Sequence, residues 1–291
     1  MEQFYGTGVA LITPFNKDKS IDYNALKNLV NFQIENNVDY LVILGTTGEP
    51  ITLTVEERKR VKETIVTVNN GRLPLVLGIG GNCTQIIIDE IKTTDLYAFD
   101  AILSVAPYYN KPTQEGFYQH FKAIAEVCPK PIILYNVPGR TAKNIAPETI
   151  FRLASDFSNI IGVKEAGNNV HQYLKLIKNK PENFLIISGD DDLVLGVVLA
   201  GGAGVISVIG QALPKEFSKM IQFGLEGKAK QAYKIHYKLM DGIDLIFKEN
   251  NPAGIKALLK KRSLCELYVR LPLVEASTEL QAKINAFIEN Y

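Results

Sequence analysis

Eight short apolar, β-branched runs recur along the chain, each followed by a longer stretch of helical character. They are Val9 to Ile12, Tyr40 to Leu44, Leu75 to Leu77, Ala101 to Val105, Ile132 to Tyr135, Ile160 to Lys164, Phe184 to Ile187 and Val205 to Val208. Most are continuous rather than alternating in polarity, which is the pattern of strands covered by helices on both faces. Helix signals fill the gaps. Asp22 precedes an amphipathic stretch from Ala25 to Asn36. Thr54 and Glu57 have the spacing of a capping box for a helix running to about Val68, and Pro147 and Pro214 stand where later helices begin. Strand–helix units that each require a parallel crossover predict an α/β fold, the closed (β/α)8 TIM barrel. An open doubly wound sheet is the competing arrangement. The first run, however, ends Ile12-Thr13-Pro14-Phe15, without the Gly-rich loop such sheets use for nucleotides.

Beyond about Phe223 the strand runs stop and the chain reads as helical to Tyr291, with interruptions at Glu249-Asn250-Asn251-Pro252 and Arg270-Leu271-Pro272. The expected organisation is a barrel over 1–223 carrying the site and a C-terminal helical extension over 224–291 packed on it. A chain of 291 residues suits one barrel with an appendage and buries most of its apolar surface without staples.

Composition removes several classes of function. Lys and Arg number 32 against 31 Asp and Glu, so no electrostatic footprint for nucleic acid or an anionic membrane exists. The basic cluster Lys260-Lys261-Arg262 reads as a solvated helix end. No apolar run reaches the ~18 residues of a membrane span. Cys83, Cys128 and Cys265 are far apart, no CxxC occurs, and the N-terminus lacks a signal-peptide pattern, so a cytoplasmic, reducing location is expected. His120, His171 and His236 are scattered without HxxxH or HExxH spacing, so no metal is expected.

In such a barrel the chemistry sits at the C-terminal strand ends. Lys164 closes the run Ile160-Ile161-Gly162-Val163, and strict two-residue alternation would put it on one face with Ile160 and Gly162. Burial there would lower its pKa and leave a neutral amine able to attack a ketone, unless it reaches solvent or pairs with Glu165. Tyr135 ends another apolar run, on the face of Ile133, where a phenol can move protons. Thr46 and Thr47 lie in the turn Gly45-Thr46-Thr47-Gly48-Glu49, a place for a small carboxylate. Arg140 stands on the loop past Tyr135, where its fork could clamp a carboxylate. Asp190-Asp191-Asp192 reads as a helix N-terminus. Gly78-Ile79-Gly80-Gly81 and Gly201-Gly202-Ala203-Gly204 lack the spacing or the position of ligand loops.

Four segments together resemble the dihydrodipicolinate synthase family, within the N-acetylneuraminate lyase superfamily. They are Gly45-Thr46-Thr47-Gly48-Glu49, Pro107-Tyr108-Tyr109-Asn110-Lys111-Pro112, Tyr135-Asn136-Val137-Pro138-Gly139-Arg140-Thr141 and Gly162-Val163-Lys164-Glu165-Ala166, and the likeness runs from about Gly6 to Pro272. The resemblance implies a lyase that condenses pyruvate with L-aspartate 4-semialdehyde, without a cofactor, on the route to diaminopimelate and lysine. It implies that Lys164 forms the Schiff base and that Tyr135 is the acid/base, relayed through Thr47 to Tyr109. It implies that Thr46 and Thr47 hold the pyruvate carboxylate, that Arg140 holds that of the aldehyde, and that Gly189 and Ile206 line the pyruvate pocket. In the family the second tyrosine comes from a neighbouring subunit, which implies a homo-oligomer, at least a dimer, with a tetramer expected. Family members inhibited by lysine bind it at the dimer interface. Tyr108 and Asn82 match that site, but Pro50, Ile51, Val55, Arg58 and Ile86 depart from its polar set, so weak lysine feedback is expected. The rival readings are a sister pyruvate aldolase, such as N-acetylneuraminate lyase or a keto-deoxy-sugar aldolase, and a non-catalytic keto-acid-binding barrel. Arg140 and the pair Tyr108-Tyr109 speak against the first, and the intact Lys164, Tyr135 and Thr47 against the second.

Overall fold

The computed structural model describes all 291 residues. Its strands are β1 Gly6–Ala10, β2 Tyr40–Ile43, β3 Leu75–Gly78, β4 Ala101–Val105, β5 Ile132–Asn136, β6 Ile160–Glu165, β7 Leu185–Ser188 and β8 Gly204–Ser207. They pair in sequence order, all parallel, and β8 returns to β1 to close the barrel. The helices are α1 Tyr23–Glu35, α2 Val55–Asn69, α3 Thr84–Thr93, α4 Gln114–Val127, α5 Pro138–Thr141, α6 Pro147–Asp156, α7 Val170–Asn179 and α8 Val194–Leu199. They continue with α9 Pro214–Leu225, α10 Ala229–Phe247, α11 Ala253–Lys261 and α12 Thr278–Asn290. The (β/α)8 barrel with a C-terminal helical extension is therefore the fold. No helix is long and apolar enough to cross a membrane.

Local chemistry explains the helix starts. The Asp22 carboxylate accepts the N–H groups of Asn24 and Ala25 at 3.0 and 2.9 Å. Thr54 and Glu57 exchange both bonds of a capping box, at 2.9 and 3.2 Å. Pro147 and Pro214 each open a helix, where a missing N–H costs nothing.

Strand limits differ from the apolar runs at both ends of the barrel. β1 begins at Gly6, earlier than hydrophobicity suggests, because Gly6, Thr7 and Gly8 carry little apolar signal. Smallness is what Gly8 contributes: a Cβ there would lie 2.1 Å from Cε2 of Tyr40. That ring fills the barrel floor, edge-on to Phe4 at 5.6 Å, and its hydroxyl donates to the Val205 carbonyl at 3.1 Å. β6 is irregular: Ile132 faces Ile160, but the next residue, Ile133, faces Gly162. The skipped Ile161 joins the barrel interior, while Ile160 packs in the outer core under the helices. The expected shared face of Ile160 and Lys164 is thus wrong, because a bulge breaks the alternation.

The extension is tied to the turn after β2. Lys256 of α11 donates to the Glu49 carboxylate at 2.6 Å and to the Tyr268 carbonyl at 2.8 Å, with both side chains essentially sealed from solvent. The second Glu49 oxygen accepts the Arg270 N–H at 3.1 Å, and the Arg270 guanidinium grips Glu57 at 2.6 and 2.8 Å. Removing one partner of a buried pair strands the other charge. Lys256→Met should therefore destabilise the fold by about 3–5 kcal/mol in urea unfolding, and Glu49→Gln combined with Lys256→Met by clearly less than Lys256→Met alone.

Candidate active site

A cavity of about 410 Å³ lies at the C-terminal strand ends, with Lys164, Thr47, Gly189 and Val208 on its wall. A second, of about 370 Å³, adjoins it, and the two share Thr46, Tyr135, Arg140 and Asn251.

Lys164 reaches the cavity from the end of β6 and is only 5% exposed. Burial pulls its pKa down to about 8, against the opposing pull of Asp191 and Asp190, while Arg140 pushes it further down. Its Nζ stands 4.5 Å from the centre of the Tyr135 ring. The space for its chain exists because residue 189 is glycine: a Cβ there would meet Lys164 Cε at 2.8 Å and the Ala166 methyl at 2.6 Å. Lys164 does not pair with Glu165, which points to the opposite face of β6. There Asn136 donates to both Glu165 oxygens at 3.1 and 2.8 Å and Gln172 donates at 2.8 Å.

Tyr135 ends β5 on the interior face, with Ile133. Burial raises its pKa, offset in part by Arg140 and by a side-chain hydrogen bond with Thr46. Thr47, the relay expected from sequence, has its Oγ1 accepting the side-chain amide of Asn251 at 3.0 Å, and Thr46 lines the same cavity wall. The two threonines occupy a tight helical turn, Thr46–Gly48, whose own bonds use the N–H groups of Gly48 and Glu49. The turn is pinned from below by the Thr13 hydroxyl, which donates to the Gly48 carbonyl at 2.7 Å.

Arg140 sits on α5, the single turn after β5, and lines both cavities. Its Nη2 donates to the Asn251 carbonyl at 3.3 Å. Ile206 is buried in the barrel interior, and Val208, just past β8, stands on the cavity wall. Tyr109 is not gathered in: it has a left-handed φ of 70° and is 89% exposed, while its neighbour Tyr108 lines the second cavity.

Two residues here escaped the sequence reading. Asn251 lies in an irregular segment with no motif to flag it. Asp191 does not start its own helix, as expected. Its buried carboxylate accepts the N–H groups of Val208 and Ile209 at 3.0 and 2.8 Å, capping the turn after β8, and burial raises its pKa to about 6. No group of three or more His, Cys, Asp or Glu side chains converges as a metal site would require.

The arrangement sets a desolvated amine beside a phenol, with hydroxyls and a guanidinium across the same space. Comparison with known proteins agrees with this geometry. The model of the Dihydrodipicolinate synthetase family matches residues 3–291. The 4-hydroxy-tetrahydrodipicolinate synthase of Flavobacterium psychrophilum is 58% identical over 287 residues, 99% of this chain and 98% of that protein. The enzyme of the same name from Phocaeicola vulgatus is 49% identical over 97% of this chain and 95% of its own length. The crystal structure of dihydrodipicolinate synthase from Aquifex aeolicus superposes with a TM-score of 0.95 at 41% identity, covering 99% of this chain and 98% of that one. With the motifs, the barrel and near-complete coverage in agreement, the chain belongs to the dihydrodipicolinate synthetase family.

Proposed function

We propose that this protein condenses pyruvate with L-aspartate 4-semialdehyde to give 4-hydroxy-tetrahydrodipicolinate, a lyase reaction on the way to diaminopimelate and lysine. The observation that carries the reading is the buried Lys164 amine, its pKa lowered to about 8, beside Tyr135 in a cavity that Arg140 also lines.

Neutral Lys164 attacks the pyruvate ketone, and loss of water leaves a protonated imine. The imine draws electrons from the adjacent methyl group, which releases a proton to give an enamine. The enamine carbon attacks the aldehyde, and the new alkoxide takes a proton. The amino group of the aldehyde partner then closes on the imine carbon and expels Lys164. Tyr135, which shares the cavity wall with Thr46 and Thr47, is the acid/base for these transfers. The first N–H groups of a helical turn lack internal partners, which suits Thr46 and Thr47 to the pyruvate carboxylate. Gly189 makes room for Lys164. Arg140, exposed at the mouth, takes the carboxylate of the aldehyde.

The outward-pointing Tyr109 supports a homo-oligomer, at least a dimer and on the sequence reading a tetramer, in which each copy lends this phenol to its neighbour's relay. The scattered cysteines support a cytoplasmic location. Around the second cavity Pro50, Ile51 and Arg58 replace a polar set, with Ile51 80% exposed and Val55 and Ile86 also outward. The carboxylates on that wall, Glu49 and Glu90, already face Lys256 at 2.6 Å and Arg58 at 3.8 Å, which leaves little to hold the ammonium groups of lysine.

Three outcomes check the reading. Borohydride with pyruvate should fix an adduct on Lys164. Its rate should rise about tenfold per pH unit while the amine is mostly protonated, then level above about pH 8, as expected of a nucleophile that must lose its proton. An adduct elsewhere, or none, defeats the Schiff base. In steady-state assays Arg140→Ala should raise KM for the aldehyde far more than for pyruvate; equal effects count against the clamp. In a lysine titration, half-inhibition below millimolar concentration would refute weak feedback.

A further inference from the structure

The strongest buried titratable group left idle by this chemistry is Glu165, and its placement is specific. β5 and β6 run in register at their C-terminal ends, with Tyr135 opposite Lys164 and Asn136 opposite Glu165. Alternation sends the first pair into the cavity and the second to the outer face. Asn136 and Glu165 are both sealed from solvent. Asn136 Nδ2 bridges the two strands by donating to both carboxylate oxygens, and its Oδ1 accepts the Ile145 N–H at 3.0 Å. Gln172 donates to the carboxylate from α7. Asn144 Oδ1 accepts from both Asn136 and Gln172, at 2.7 and 3.0 Å. The Tyr173 hydroxyl donates to the Glu165 carbonyl. Both carboxylate oxygens of Glu165 and its carbonyl are thus engaged.

The burial is costly. The carboxyl is held by the side-chain amides of Asn136 and Gln172 with the acidic Asp190 nearby, and burial raises its pKa to about 7. Apolar packing would hold a sheet more cheaply. What it would not supply is directional register. That matters here, because the bulge at Ile161 lies just before the site and a one-residue slip turns every side chain to the other face.

We propose that Asn136 and Glu165 form a clamp behind the barrel wall that fixes how Lys164 meets Tyr135, making both of them positioning residues for the reaction. The inference rests on the roles given above to Lys164 and Tyr135. Glu165→Gln sets an amide donor against the donors of Asn136 and Gln172. In steady-state and borohydride-trapping assays at about pH 8, it should lower kcat and the rate of imine formation roughly tenfold or more. KM for the aldehyde should move less than about twofold, with a native circular dichroism spectrum at the assay temperature. Asn136→Asp added to Glu165→Gln reverses donor and acceptor across the strands and should restore most of the lost rate. Should Glu165→Gln fail to fold, Glu165→Asp keeps the charge but shortens its reach and should show the same loss in kcat. Folded single variants with unchanged kcat, or a folded double variant no faster than Glu165→Gln alone, overturn the clamp. Wild-type protein that traps no pyruvate on Lys164 overturns the underlying reading as well, so the two failures are distinguishable.

Discussion

The buried ion pair between Glu49 and Lys256 is the constraint on which the upper half of the molecule depends. Glu49 closes the turn that carries Thr46 and Thr47, in a left-handed conformation with φ of 53°. Lys256 belongs to the extension, a few residues past Asn251. Joining them lays the irregular segment before α11 across the barrel mouth, where Asn251 holds Thr47 with its side chain and Arg140 with its carbonyl. Two groups of the site, one following β2 and one following β5, are thus bridged by a residue from outside the barrel. An ion pair sealed from water is a poor source of net stability because desolvation offsets most of its attraction. Its value is that only one arrangement satisfies both charges, together with the Tyr268 carbonyl and the Arg270 N–H.

The same logic of enforced burial operates at Lys164. A lysine on an open surface stays fully charged near neutral pH and attacks little. Here β6 delivers it into a space walled by Gly189, Tyr135 and Ala166, and desolvation does the activating. Two carboxylates nearby, Asp191 and Asp190, oppose that shift, and the amine comes to rest with a pKa of about 8. Each acid has a structural task too: Asp190 accepts from Asn168 and Tyr173, and Asp191 caps the turn after β8.

Much of this was legible in the sequence, for identifiable reasons. The strands announced themselves because a parallel barrel buries both faces of each one, leaving apolar runs that need no tertiary knowledge to see. Helix starts were readable because Thr54, Glu57, Asp22 and the prolines act within one turn of themselves. Lys164, Tyr135 and Arg140 stood out as polar groups at the ends of such runs. What failed was non-local. The bulge at Ile161 has no signature of its own, since isoleucine suits either face. The true start of β1 was hidden because Gly8 is required by a ring on β2. The role of Asp191 depends on N–H groups seventeen and eighteen residues away. Asn251 reaches Thr47 across a sequence separation of 204 residues.

The floor of the barrel carries a consequence for traffic. Tyr40 and Phe4 seal the lower end, so whatever enters by the mouth must leave by it. On the proposed chemistry the deep berth belongs to the keto acid at Lys164 and the shallow one to the aldehyde at Arg140. A single doorway then imposes a queue: the keto acid boards first, the aldehyde follows and closes the way behind it, and nothing new comes aboard until the joined product has gone. On that reading an aldehyde that arrives first stands in the corridor between the keto acid and Lys164.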